Sequence, residues 1–176
     1  MSDADTILRV ERVTKRFPGV LALNDVSFDL REGETHAICG ENGAGKSTLI
    51  KVLSGVLPHG SYEGRIRVHG IEARFRGIHD AERAGIAVIH QELALVPEMT
   101  VAENIFLGAE PTCLGRIDWN RVYAETERVL RQCGLNLDPA ATVSRLGVGQ
   151  QQIVEIVKAL AKQPRILFLD EPTAAL

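Results

Sequence analysis

Two stretches of this 176-residue chain hold side chains suited to phosphate chemistry. The first is Gly40-Glu41-Asn42-Gly43-Ala44-Gly45-Lys46-Ser47-Thr48. It follows a short apolar run, Ala37-Ile38-Cys39, and opens a segment of helical character, Leu49-Ile50-Lys51-Val52-Leu53. Strand, glycine-rich loop and helix in that order match the phosphate-binding P-loop, GxxxxGK followed by Ser or Thr. The glycines let the backbone turn tightly and aim its N–H groups at phosphate oxygens. The helix start adds donors without partners and a partial positive charge. In this pattern Lys46 reaches the terminal phosphates and the Ser47 hydroxyl sits on Mg²⁺. The second stretch is Asp170-Glu171, which closes the apolar run Ile166-Leu167-Phe168-Leu169. Neighbouring residues on a strand point to opposite sides. One carboxylate can therefore face a Mg²⁺ shell while the other faces an attacking water, the two roles that ATP hydrolysis needs. Ligands of open α/β sheets gather at the carboxyl ends of strands, where this pair lies.

The rest of the chain must position those groups. Ile7 to Arg12 alternates loosely as a strand, Phe17-Pro18-Gly19 turns, and Val20 to Leu30 forms a second strand. Arg31-Glu32-Gly33-Glu34 turns the chain into the strand that feeds the P-loop, and Gly55 and Pro58 close the helix after it. Arg65 to His69 alternates as an exposed strand, so the first third reads as antiparallel sheet beside the P-loop. Ile78 to Ala84 suits a short helix, and Gly85 to His90 is apolar enough for a strand buried on both faces. Thr100 with Glu103 three residues on is a capping box. Gly108 to Gly115 reads as loop. Asp118 caps a helix with Trp119, Val122, Tyr123, Val129, Leu130 and Cys133 on a 3.6-residue period, stopped by Gly134. Gln150 to Gln163 reads as a helix with Ile153, Ile156, Val157 and Leu160 inward. The order predicts an α/β P-loop core with an antiparallel β subdomain before it and a helical insertion inside it. The boundaries fall near 1–34 and 60–76 for the β part, 35–58, 78–91 and 164–176 for the core, and 92–163 for the insertion.

Composition narrows the classes. A net charge of −3 and no basic block give no electrostatic case for nucleic acid. The three cysteines, Cys39, Cys113 and Cys133, have no metal-type spacing and read as reduced, buried or incidental thiols. The start is acidic where a signal peptide is basic and then apolar, and no apolar run approaches the ~20 residues of a membrane span. A cytoplasmic chain is expected, with any membrane role exercised through a partner.

Taken together, GENGAGKST at 40–48, Gln91 after a buried strand, LGVGQQQ at 146–152 and ILFLDEPT at 166–173 resemble the ATPase domain of ABC transporters over the whole chain. They correspond, in the family's order, to its Walker A loop, Q-loop, signature motif and Walker B. The resemblance implies that Phe17 stacks on adenine and that Gly40 to Thr48 holds the phosphates of ATP. It implies that Gln91 contacts Mg²⁺ or the attacking water and senses the membrane subunit. Asp170 would hold Mg²⁺ through water, and Glu171 would act as catalytic base or position the water. Leu146, Gly147, Val148, Gly149 and Gln150 would bind an ATP held by the opposite domain. Here the chain departs from the commonest LSGGQ form, because Gly147 stands where a serine hydroxyl ordinarily meets the γ-phosphate. That loss is worth roughly 0.5–1.5 kcal/mol, or more to a charged group.

Within the family the chain is similar to the monosaccharide importers, which carry two ATPase domains in tandem. Pro58-His59-Gly60-Ser61-Tyr62-Glu63-Gly64 and Gly147 are similar to the branch importing xylose, with ribose, galactose and arabinose branches close to it. The implied partners are membrane permease subunits, a second ATPase domain in the same longer chain or in another copy, and, indirectly, a periplasmic sugar-binding protein. The implied location is peripheral, on the cytoplasmic side of the inner membrane. The family pattern continues beyond Leu176, so the resemblance implies an amino-terminal fragment that turns over ATP poorly by itself. It also implies that a strand between the P-loop strand and the Asp170 strand is missing, leaving unpaired backbone and exposed apolar faces. An inert or binding-only remnant is the non-enzymatic alternative. A P-loop kinase or GTPase is disfavoured by residues 146–150, by Gln91 and by the lack of an NKxD-like base reader; a soluble ABC protein of DNA repair or translation is disfavoured by the short insertion and the absent basic charge.

Overall fold

The computed structural model describes residues 5–89 and 93–170. In chain order its elements are β1 (Thr6–Phe17), β2 (Val20–Arg31), α1 (Lys46–Leu53), β3 (Glu63–Val68), β4 (Ile71–Glu72), α2 (Ile78–Arg83) and β5 (Ile86–Ile89). They continue with α3 (Val101–Phe106), β6 (Thr112–Cys113), β7 (Arg116–Ile117), α4 (Trp119–Gln132), α5 (Val148–Ala161) and β8 (Ile166–Leu169). These fall into two compact units, one taking the chain up to Val88 and again Arg165–Asp170, the other Ile89–Pro164.

In the first unit β1 to β4 form an antiparallel sheet in the order β2-β1-β3-β4. Val10 sits opposite Phe28 on one side and Ile66 on the other. The alternation of Leu8, Val10 and Ile66 buries one face of this sheet. That face shares a core with Leu49, Val52 and Leu53 of α1, Ile86 of β5 and Ile166 of β8. β5 and β8 pair in a second small sheet. β1 outruns the strand expected at Ile7 to Arg12 because irregularities between Val10 and Val13, and between Val13 and Lys15, interrupt the alternation without ending the pairing.

The run expected as a strand ahead of the P-loop forms none. Residues 34–41 have no regular element and are exposed, Ile38 among them at 38%. A strand is defined by its neighbours, and among the described residues no strand pairs with this run.

The second unit packs α3, α4 and α5 around Val101, Ile105, Val129, Leu130, Val143, Val154 and Val157. Thr100 and Glu103 make the expected capping box, and Asp118 caps α4 through the Arg121 N–H. The inward face of α5 is corrected: Val154, Glu155, Val157 and Ala159 are buried, whereas Ile156 and Leu160 are exposed. The apolar residues here are spread over more than one helical face, so periodicity alone could not choose between them. Trp119, expected on the apolar stripe of α4, is the first residue of that helix and is 44% exposed. The expected loop at Gly108 to Gly115 instead runs into a hairpin, β6 within it and β7 just after it, joined by Leu114-Gly115. All three cysteines are exposed rather than buried. Among the described residues no helix is long and apolar enough to cross a membrane.

Candidate phosphate and metal site

The loop Gly40 to Gly45 is shaped by sterics before any ligand enters. Gly43 and Gly45 lie at φ +84 and +94, a region that favours glycine. A Cβ on Gly45 would collide with the backbone carbonyl oxygen of Ala22 in β2 and meet the Leu23 side chain at 3.1 Å. Gly45 is thus required both by its own backbone angle and by the strand packed behind it. As N-cap of α1 it offers no side-chain acceptor, and the first turn carries no acidic residue. Its N–H groups are consequently left for an anion, at the positive end of the helix dipole.

Lys46 folds its Nζ back over the loop, donating to the carbonyl oxygens of Gly40 (2.8 Å) and Glu41 (3.1 Å). This holds the cation over the mouth of the loop, where a phosphate can take over the interaction. Ser47 Oγ donates to Asp170 Oδ1 at 3.2 Å. These residues lie 123 positions apart in sequence, and their bond ties the first turn of α1 to the end of β8. A serine hydroxyl and a carboxylate converging in this way are hard oxygen donors, which fits Mg²⁺ completing its shell with phosphate oxygens and water. Among the described residues no cluster of three or more His, Cys, Asp or Glu could make a metal cage of protein ligands alone. A site that borrows ligands from a nucleotide needs none.

The other expected residues are placed as follows. Phe17 ends β1 and is 40% exposed. Gln91 and Glu171 lie outside the described residues. Leu146 to Gln150 lie in the second unit, where Gly147 is the N-cap of α5 and its N–H donates to Gln150 Oε1 at 3.2 Å. Gly147 has no heavy atom within 4 Å of a Cβ position, so nothing nearby demands a glycine there.

Three structural roles escaped sequence reasoning, those of Ala22 and Lys15 in the first unit and that of Asn104 in the second. Ala22 acts through its backbone oxygen, which no residue type can announce. Lys15 is 8% exposed, with Nζ 4.9 Å from the centre of the Phe17 ring. Asn104 is fully buried and fixes the loop after residue 92. Its side chain accepts from the Val96 N–H at 2.7 Å and donates to the carbonyls of Val96 and Thr100, each at 3.0 Å. Lys158 Nζ adds a bond to the Ala94 carbonyl at 2.8 Å. A polar residue inside the apolar run of α3 was the available signal for Asn104.

Comparison with known proteins agrees with this fold. The family model described as ABC transporter matches residues 23–174. The xylose import ATP-binding protein XylG of Geobacillus kaustophilus is 58% identical over 97% of this chain. The L-arabinose transport ATP-binding protein AraG of Geobacillus stearothermophilus is 56% identical over 98%, and the ribose import ATP-binding protein RbsA 2 of Streptomyces coelicolor 54% over 98%. The chain spans about a third of the length of these relatives, 34%, 34% and 33% respectively. Among solved structures, a nucleotide-free ATP-binding cassette from an ABC transporter superposes with TM-score 0.80 at 30% identity, covering 97% of this chain and 71% of that one. The ADP conformation of the cassette MJ1267 superposes with TM-score 0.80 at 31% identity, covering 97% and 70%. With a family model matching residues 23–174 and solved cassettes superposing over 97% of its length, the chain belongs to the ABC transporter family.

Proposed function

We propose that this chain is the first ATPase domain of a subunit that binds and hydrolyses ATP to power import of a monosaccharide through a membrane permease, with xylose as the sugar. The observation that carries the reading is the Ser47–Asp170 hydrogen bond, which joins the phosphate loop to the end of β8 where a nucleotide and its metal would meet. The relatives support sugar import, and their names divide between xylose, arabinose and ribose. Import of arabinose or ribose is accordingly the second reading.

In this function the first-turn N–H groups of α1 and the Lys46 ammonium bind the phosphates and offset their charge. Ser47 and Asp170, with Gln91, would hold Mg²⁺, which when bound neutralises charge developing on the transferred phosphoryl oxygens. Glu171 orients the attacking water and accepts its proton, and Phe17 stacks on adenine. Leu146 to Gln150 complete the site of a second ATPase domain, the first-turn N–H groups of α5 supplying the anion-binding groups that a Gly147 side chain does not. The permease engages the domain from the membrane's cytoplasmic side, with a sugar-binding protein acting on the far side.

The test is an ATPase assay on the full-length protein with its permease, while a binding protein presents pentoses and hexoses in turn. Stimulation by xylose above the other sugars is expected. Stimulation by arabinose or ribose alone moves the substrate, and turnover indifferent to permease and sugars overturns the transport reading.

A further inference from the structure

Lysine is seldom buried without a paired charge, and Lys15 is 8% exposed while no carboxylate among the described residues pairs with it. Its ammonium has two partners. Nζ donates to the carbonyl oxygen of Ser61 and lies 4.9 Å from the centre of the Phe17 ring. Burying the four-carbon stem is favourable, but desolvating the ammonium is costly, so the position calls for a reason beyond packing.

The acceptor is itself fixed. Ser61 belongs to a tight turn in which its N–H donates to the Pro58 carbonyl at 3.0 Å. The same turn is tied to the following segment by the His59 N–H donating to the Phe75 carbonyl at 2.7 Å. His59 also meets Tyr62 edge-on, with ring centroids 6.1 Å apart. The turn is thus a rigid post, and Lys15 reaches from that post to one face of the Phe17 ring. Phe17 nevertheless stays 40% exposed as a residue, which leaves room for a second flat partner.

We propose that Lys15 is a positioning residue for nucleotide binding, holding the Phe17 ring by a cation–π contact on one face so that a purine base can stack on the ring. The contact fixes a side chain at the end of a strand that would otherwise lose rotamer freedom on binding. An ammonium against one face also draws electron density from the ring, which lowers its repulsion with the π cloud of a stacked base. The turn Pro58 to Tyr62 thereby becomes part of the base site without touching the base. The proposal rests on the reading of Phe17 as the base-stacking residue.

The experiment compares binding of MgATP with binding of magnesium tripolyphosphate, which has the phosphates and no base, to the full-length protein by calorimetry. Lys15→Met should weaken ATP binding about three- to tenfold and leave tripolyphosphate binding unchanged. Lys15→Arg, which keeps a cation over the ring, should restore ATP binding. Lys15→Gln keeps a donor for the Ser61 carbonyl without the charge, and should behave as Lys15→Met does; it serves alone where the methionine variant does not fold. In a Phe17→Ala background, Lys15→Gln should add no further loss. Equal weakening of both ligands would show a structural role only and overturns the proposal, as do full additivity with Phe17→Ala and unchanged ATP binding in Lys15→Gln. If Phe17→Ala itself leaves ATP binding unchanged, the stacking role falls and this proposal with it. Absence of any ATP binding in the unaltered protein instead overturns the nucleotide reading.

Discussion

A methyl group on Gly45 would have nowhere to go. Its φ of +94 is unfavourable for any residue with a Cβ, and the Ala22 carbonyl occupies the place where that carbon would stand. Gly45→Ala should therefore cost at least about 2 kcal/mol of stability, read as a lower denaturation midpoint, because left-handed strain alone contributes about 1–2 kcal/mol. Phosphate affinity should fall with it, since relief of the clash must move either the loop or β2. Gly147 is the opposite case: its φ is −64 and nothing crowds a Cβ there. Serine is also a better N-cap than glycine by a few tenths of a kcal/mol. Gly147→Ser in the full-length protein should leave stability and ATPase activity equal or higher. A sharp loss of activity would refute the assignment of this glycine as a tolerated weakening of the signature loop.

At the scale of elements, the β6–β7 hairpin carries a residue poorly matched to its place. Leu114 is fully exposed at φ +50 and Gly115 follows at φ +77, joining Cys113 to Arg116 in a two-residue loop. Two positive φ values in such a loop are the mark of a type I′ turn, in which asparagine is favoured at the first position. Leu114→Asn should raise the midpoint of thermal unfolding, by an amount corresponding to about 0.5–1 kcal/mol. A fall in the midpoint would mean that the leucine side chain makes a contact worth more than the strain it carries.

Across the whole molecule, legibility followed locality. The capping box of α3, the Asp118 cap and the P-loop were readable because each is written within a few residues. The strand ahead of the P-loop was not, since strand character depends on a neighbour elsewhere in the chain, and the inward face of α5 depended on which helix sides find cover. At the site, motif spacing picked out Ser47 and Asp170, but their meeting across the fold, the backing of Gly45 by Ala22 and the clasp of Lys15 on Phe17 are all long-range. The bare run at 34–41 makes its own prediction. Amide protons of residues 35–40 should exchange with solvent far faster than those of Leu8 and Val10, which sit inside paired strands. Comparable protection of the two groups, followed by mass spectrometry or NMR, would contradict the absence of pairing there.

That bare run contains Cys39, an exposed thiol immediately before Gly40, while the other two exposed thiols, Cys113 and Cys133, lie in the second unit. The molecule thus carries a built-in reporter with two built-in controls. A maleimide should alkylate all three, and saturating MgATP should slow the reaction at Cys39 while leaving the rates at Cys113 and Cys133 as they were. Occupancy of the phosphate loop would then be readable by peptide mapping in a chain bearing no probe and no mutation.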